Sequence, residues 1–277
     1  EPLEQLAEWA VEKLSAVPNH RYTVSEWPSN PWTDLKKMIK VKAVKEMQTL
    51  YLGWQTGDMH SHNRSKPDVY LSHLLGHEGP GSLFSYLKKK NFVLGLSAGF
   101  DDNFHGFSFF QISFELTPQG VKNTDAIIEA CYEYLAMLKH VGPQEWIQKE
   151  CKVINEITFR FKDKSQSSSS YAYKLAGQMQ EYPKERILSG PSLIEEWDPE
   201  AIKQITSLFT PDNCRALLAY SKFKTDDTWI KEQWYGTMYK VEDLSESLLE
   251  RCKSLSGTAN PELVLPKPND FIPSKLE

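Results

Sequence analysis

Cysteine is scarce in this chain of 277 residues and never paired: Cys131, Cys151, Cys214 and Cys252 lie far apart, with no Cys-x-x-Cys. That spacing argues against a thiolate metal site. It fits free thiols in a reducing compartment, so a cytoplasmic location is expected. Long hydrophobic runs are missing as well. No apolar stretch approaches the ~20 residues that a membrane-crossing helix needs, and no membrane partner is expected. Nor is positive charge in excess: 32 Lys and Arg against 37 Asp and Glu leave a formal net charge of -5, which argues against nucleic acid as a partner. A phosphate-cradling Gly-x-x-x-x-Gly-Lys run and a Rossmann glycine fingerprint are both absent, so nucleotide chemistry has no support. The chain also opens on Glu1-Pro2 without methionine, which reads as an excised piece and makes the lack of a leader uninformative about its parent. With 40% hydrophobic and 12% aromatic residues, it can bury one good core.

Against these absences stands residues 73–100, HLLGHEGPGSLFSYLKKKNFVLGLSAGF. His73 and His77 are four apart, and on a helix they share one face, the placement that two zinc ligands need. In the inverted zinc motif His-x-x-Glu-His, the glutamate before the second histidine activates the metal-bound water. Here that slot holds Gly76. Glu78 is no substitute, because on a continuing helix it is rotated about 200° away from the vacant slot. Pro80 moreover disfavours helical geometry at Gly79, and Gly81 extends the break. The residues therefore read either as a peptidase motif without its base or as two ordinary histidines at a helix end.

HLLGHEGPGSLFSYLKKK resembles the second domain of the insulin-degrading-enzyme-like branch of the M16 metallopeptidases, also called inverzincins or the pitrilysin family. GPQEWIQKEC, FRFKDK at residues 159–164, EQWYGTMYK at residues 232–240 and the closing FIPSKLE resemble the same domain in the same order. The resemblance implies an α+β sandwich of the type shared with LuxS and mitochondrial processing peptidase, a mostly antiparallel sheet with helices packed on it. In that family four related domains close in two halves around a peptide, and only the first carries the working zinc motif. The resemblance thus implies zinc in the parent's catalytic domain, no cofactor and no catalytic residue here, and the other M16 domains and peptide substrates as partners. It also implies an exosite that anchors the peptide's amino terminus as an added strand. Carried over by motif position, His73, Gly76 and Glu78 line its helix side, and Leu96, Ala98 and Gly99 supply its strand. The family's LVGGQ is LSAGF here, so Ala98 stands for a glycine and Phe100 for a glutamine. The family's third zinc ligand comes from a later helix, which here offers Glu150 and Glu156, neither assignable. An inactive M16-fold scaffold subunit is the alternative reading.

Along the chain, Leu3, Leu6, Trp9, Ala10 and Leu14 form a helical stripe. By resemblance this is the last helix of the preceding domain, with the proline-bearing residues 17–31 as linker; residues 1–31, 32–256 and 257–277 then form helix plus linker, domain and tail. An apolar helix cut from its partner is expected to pack elsewhere, self-associate or fray. Residues 35–54 read as two strand segments, and residues 56–67 as a solvated loop in which His60 and His62 are given no metal role. A helix is expected from Pro67, another over residues 83–87 closed by Lys88, Lys89 and Lys90. Strands are expected over residues 92–100 and 104–116 around a turn at Asp101, Asp102 and Asn103, with both sheet faces covered. Helices follow over residues 121–138, 143–161, 171–180, 191–197, 199–209 and 241–255, with a strand at residues 215–220. SQSSSS at residues 165–170 reads as exposed and mobile.

Overall fold

The computed structural model describes residues 2–23, 25, 27–28, 30–101, 104, 106–164 and 167–273. Seven strands make its one sheet: β1 (Lys37–Val41), β2 (Gln48–Thr56), β3 (Val93–Asp101), β4 (Ser108–Leu116), β5 (Cys214–Tyr220), β6 (Ile230–Lys231) and β7 (Met238–Asp243). Their order is β3-β4-β2-β5-β1-β7-β6. The β1–β5 pair is parallel, joining Lys37 to Arg215 and Val41 to Ala219. Every other ladder is antiparallel. The expected α+β class, with a largely antiparallel sheet, is what the chain adopts.

Alternation along β4 decides which face is covered. Ser108, Phe110, Ile112, Phe114 and Leu116 are buried, whereas Gln111 and Glu115 are exposed, the period of two of a sheet with one dry face. The helices α2 (Pro67–Leu75), α3 (Leu83–Lys89), α5 (Thr124–Val141), α8 (Pro199–Ser207) and α9 (Glu246–Lys253) supply the other half of the core. The expectation that both faces are covered therefore fails. Phe109, on the other face, finds local cover by stacking on Trp32, ring centroids 4.3 Å apart, and by packing on Phe107 and Phe104.

At the centre of the core Trp54, Phe110, Phe209 and Tyr134 are fully buried, each worth roughly 1.5–3 kcal/mol or more of transfer free energy. The indole N–H of Trp54 is satisfied by Tyr132 Oη and the Thr210 carbonyl, both at 3.2 Å. The four cysteines are free and buried. α1 (Leu3–Leu14) forms as expected but buries no residue.

Several boundaries differ from the sequence reading, each for a local reason. β4 starts at Ser108 and not at residue 104, because Phe104 instead stacks on Phe107 at 4.8 Å and Gly106 takes φ +96°. The expected turn residues Asp102 and Asn103 lie outside the described residues. Residues 191–197 are not helical: the N–H groups of Glu195 and Glu196 both donate to the Arg64 carbonyl, and the Gln148 side chain donates to the Glu196 carbonyl. Residues 241–243 belong to β7, and α9 starts at Glu246 behind the cap Ser245, whose hydroxyl accepts from Leu248 N–H. Of the serine patch, Ser167 caps α7 (Ser168–Glu181) by accepting from Ser170 N–H; Ser165 and Gln166 are outside the described residues. α6 spans Glu145–Arg160, and α4 (Pro118–Lys122) precedes α5.

Candidate functional site at a helix end

Pro67 occupies the first turn of α2 with Asp68 beside it, a start that needs no amide donor and welcomes a negative charge. The helix stops at Leu75, and Gly76 closes it by donating to the Ser72 carbonyl at 2.9 Å. That end comes before the Gly79-Pro80-Gly81 break, so His77 does not share a helical face with His73 as expected. The two rings nonetheless stay neighbours, with centroids 5.7 Å apart. Burial holds the His73 imidazolium below the usual histidine range; the nearby His77 adds to this and the charge of Glu150 opposes it. Burial lowers His77 too, against the opposing charge of Glu78. Both shifts favour the neutral imidazole.

The end of α2 rests on β3. A Cβ at Gly76 would lie at an ordinary 3.7 Å from Ala98 N but only 2.9 Å from the Ser72 carbonyl oxygen of α2 itself, so glycine suits the tight close of the helix where it meets the strand. Leu96, Ala98 and Phe100 pack toward the core, opposite Phe114, Ile112 and Phe110 of β4. Gly99 pairs with the exposed Gln111, and the direction its Cβ would take is open out to Ser72 Oγ at 4.0 Å. Asp68, Val69, Ser72, His73 and Phe100 line an open depression between α2 and β3. Because β3 ends the strand order, its outer edge pairs with no strand among the described residues. Glu78 is exposed on the loop that follows.

His73, Gly76 and Ala98 are thus brought together, with Leu96 and Gly99 on the same open-edged strand and Glu78 next to His77. Sequence reasoning missed Asp68 and Ser72, which lie four apart on α2 and line the depression with His73, and it missed the chain's own tail. Val264 N–H donates to the Gly81 carbonyl at 3.0 Å, and Asn269 N–H donates to Glu150 Oε1 at 2.9 Å.

These residues do not fit a zinc ion. His77 has left the helix, its Nε2 edge packs so closely on Gly79 that a Cβ there would come within 2.7 Å, and the carboxylate of Glu150 is taken up by the tail. Among the described residues no group of three or more His, Cys, Asp or Glu is placed to hold a metal. His60 is placed against Asp58 at 2.8 Å and Glu181 at 3.5 Å.

Fold and site together define an α+β sandwich that keeps the histidine pair of an inverted zinc motif with Gly76 in the place of its base and, among the described residues, no third ligand. Residues 1–155 match the family model described as the peptidase M16 inactive domain, and residues 159–277 match that of the middle or third domain of peptidase M16. Human insulin-degrading enzyme is 36% identical over 100% of this chain and 27% of its own length. The nardilysin-like protein of Arabidopsis thaliana is 37% identical over 99% of the chain and 27% of its own length. The crystal structure of pitrilysin superposes with a TM-score of 0.86 at 25% identity, covering 99% of this chain and 29% of that one. The chain belongs to the M16 peptidase family. It spans about a quarter of the length of the curated relatives it matches.

Proposed function

We propose that the chain is the non-catalytic second domain of an insulin-degrading-enzyme-like zinc endopeptidase, whose zinc sits in another domain of the parent protein. In this reading residues 1–31 are the end of the preceding domain and its linker, residues 32–256 the domain itself, and residues 257–277 the tail. Its role is to wall the degradation chamber and to anchor the amino terminus of a peptide substrate. The observation that carries the reading is the open outer edge of β3 beside the end of α2. An extended peptide laid along that edge satisfies main-chain donors and acceptors with little demand on its sequence. Its terminal ammonium then finds the exposed carboxylate of Glu78, with neutral His73 as a further acceptor.

Calorimetry with one flexible peptide, free and N-acetylated, tests this against wild type and Glu78→Gln. A charged hydrogen bond is worth roughly 1.5–3 kcal/mol, so acetylation is expected to weaken binding by about ten- to a hundred-fold in the wild type and much less in Glu78→Gln. Equal affinities for both peptide forms in the wild type remove the amino-terminal anchor and leave a scaffold.

A further inference from the structure

The described residues after α9 have no regular secondary structure, yet they are fastened along the site at successive points. Asn260 donates through its side chain to Glu133 of α5 at 2.6 Å. Leu263 is buried in the core. Val264 N–H then donates to the Gly81 carbonyl at 3.0 Å, and its side chain lies so close that a Cβ at Gly81, where φ is +84°, would come within 2.4 Å of Cγ2. Five residues on, Asn269 N–H donates to Glu150 Oε1, on the helix α6 that packs against α2. One segment therefore grips both ends of the helix-side half of the candidate site. It holds the loop that carries Glu78, through Gly81, and the helix α6 that packs on the helix carrying His73.

We propose that Val264 and Glu150 are positioning residues of the peptide-anchoring site, through which the segment 263–269 sets the Gly79-Pro80-Gly81 loop and the place of His73. The proposal rests on the amino-terminal anchor described above and adds to it what controls that anchor. A loop holding two glycines and no helix of its own has many backbone states to lose on ordering. A neighbouring segment that supplies a donor to Gly81 and packs beside it restricts those states before the peptide arrives, which is how preorganisation raises affinity. Any force that pulls the segment away loosens the loop, so the site weakens without change to any residue that touches the peptide.

The test uses the full chain with four variants. Val264→Pro removes the donor to Gly81, and Val264→Ala keeps it. Glu150→Ala removes the acceptor for Asn269, and Glu150→Gln keeps it. Three quantities are read: the affinity ratio for free and N-acetylated peptide, amide hydrogen exchange at residues 79–82, and the NMR resonances of the His73 ring. The loss of one neutral hydrogen bond predicts about a three- to ten-fold fall of the free-amine preference in Val264→Pro. Exchange at residues 79–82 is expected to quicken and Val264→Ala to stay near wild type. Glu150→Ala is expected to shift the His73 resonances and weaken the free peptide, with Glu150→Gln restoring the affinity. An unchanged preference and unchanged exchange in Val264→Pro overturn the proposal. If Val264→Pro does not fold, the Glu150 pair decides it: indistinguishable affinity and His73 resonances in Glu150→Ala overturn it. If the wild type shows no preference for free amines, the anchor itself is wrong. Exchange at residues 79–82 then still separates a tail that orders the loop from one that does not.

Discussion

Gly76 is the residue on which the site's geometry turns. Its φ of -91° is available to any residue, so its requirement is space and not conformation. A methyl group there meets the Ser72 carbonyl oxygen of the same helix at 2.9 Å, while Ala98 stays at ordinary contact distance, so the last turn of α2 must shift. Gly76→Ala is expected to cost about 1 kcal/mol in urea denaturation and to weaken peptide binding. Full stability together with full binding would show that the tight last turn of α2 serves neither fold nor function. The neighbouring histidines give a second expectation. Their folded values lie below the unfolded value of 6.5, so the unfolded chain binds the extra protons. Stability from this source is complete above about pH 6.5 and is lost as pH falls through the window below it. The denaturation midpoint should therefore drop between about pH 7 and 5, and a His73→Gln variant should flatten part of that drop. An equal slope in the variant would assign the loss to other groups.

At the scale of elements, α1 stands apart. Leu3 is 79% exposed, Trp9 44% and Leu14 63%, so an amphipathic stripe is displayed with nothing covering it. Exposed apolar stripes drive association, and sedimentation is expected to show self-association that deletion through Ala16 relieves. A monomer before and after the deletion would contradict this. Local chemistry made most helices legible. Pro67 marks the start of α2, Gly142-Pro143 separates α5 from α6, and Pro211-Asp212-Asn213 leads into β5. Where the sequence misled, a distant partner had overruled the local pattern. Leu193, Ile194 and Trp197 have helical spacing, but the backbone there is spent on Arg64 and Gln148. β7 stayed hidden because its half-exposed, charge-bearing Met238–Asp243 gains its identity only by pairing with β1. No periodicity could announce that Val264 meets Gly81, since a contact between residues so far apart in sequence leaves no local mark.

For the molecule as a whole, the sheet has one dry face, and its centre is the Trp54 cluster. Trp54→Ala is expected to cost about 3–5 kcal/mol, because it opens a cavity and strands the groups that the indole N–H satisfied; a loss under 1 kcal/mol would mean that this core collapses freely. The family kinship and the sandwich were readable from ordered motifs spread along the chain, whereas the strand order was not. The parallel β1–β5 pair joins residues 37–41 to 215–219, and only the folded chain exposes β3 as an edge. With Gly76 in the base position and Glu150 held by the tail, the chain alone is expected to cleave no fluorogenic peptide even with added zinc, since general-base catalysis supplies about 10²- to 10⁴-fold. Zinc-dependent cleavage abolished by His77→Ala would overturn that.

The central claim is that a peptide adds to the sheet along β3 with its amino terminus at the end of α2. It is tested most directly by following the backbone amides of Leu96, Ala98 and Gly99 by NMR while a flexible peptide is added. The account predicts slowed hydrogen exchange and cross-strand contacts from peptide to these three residues, with His73 shifting in parallel, and predicts that N-acetylation of the peptide removes most of the effect. Peptide binding that leaves β3 unperturbed, or perturbs it equally with and without the acetyl group, would contradict it.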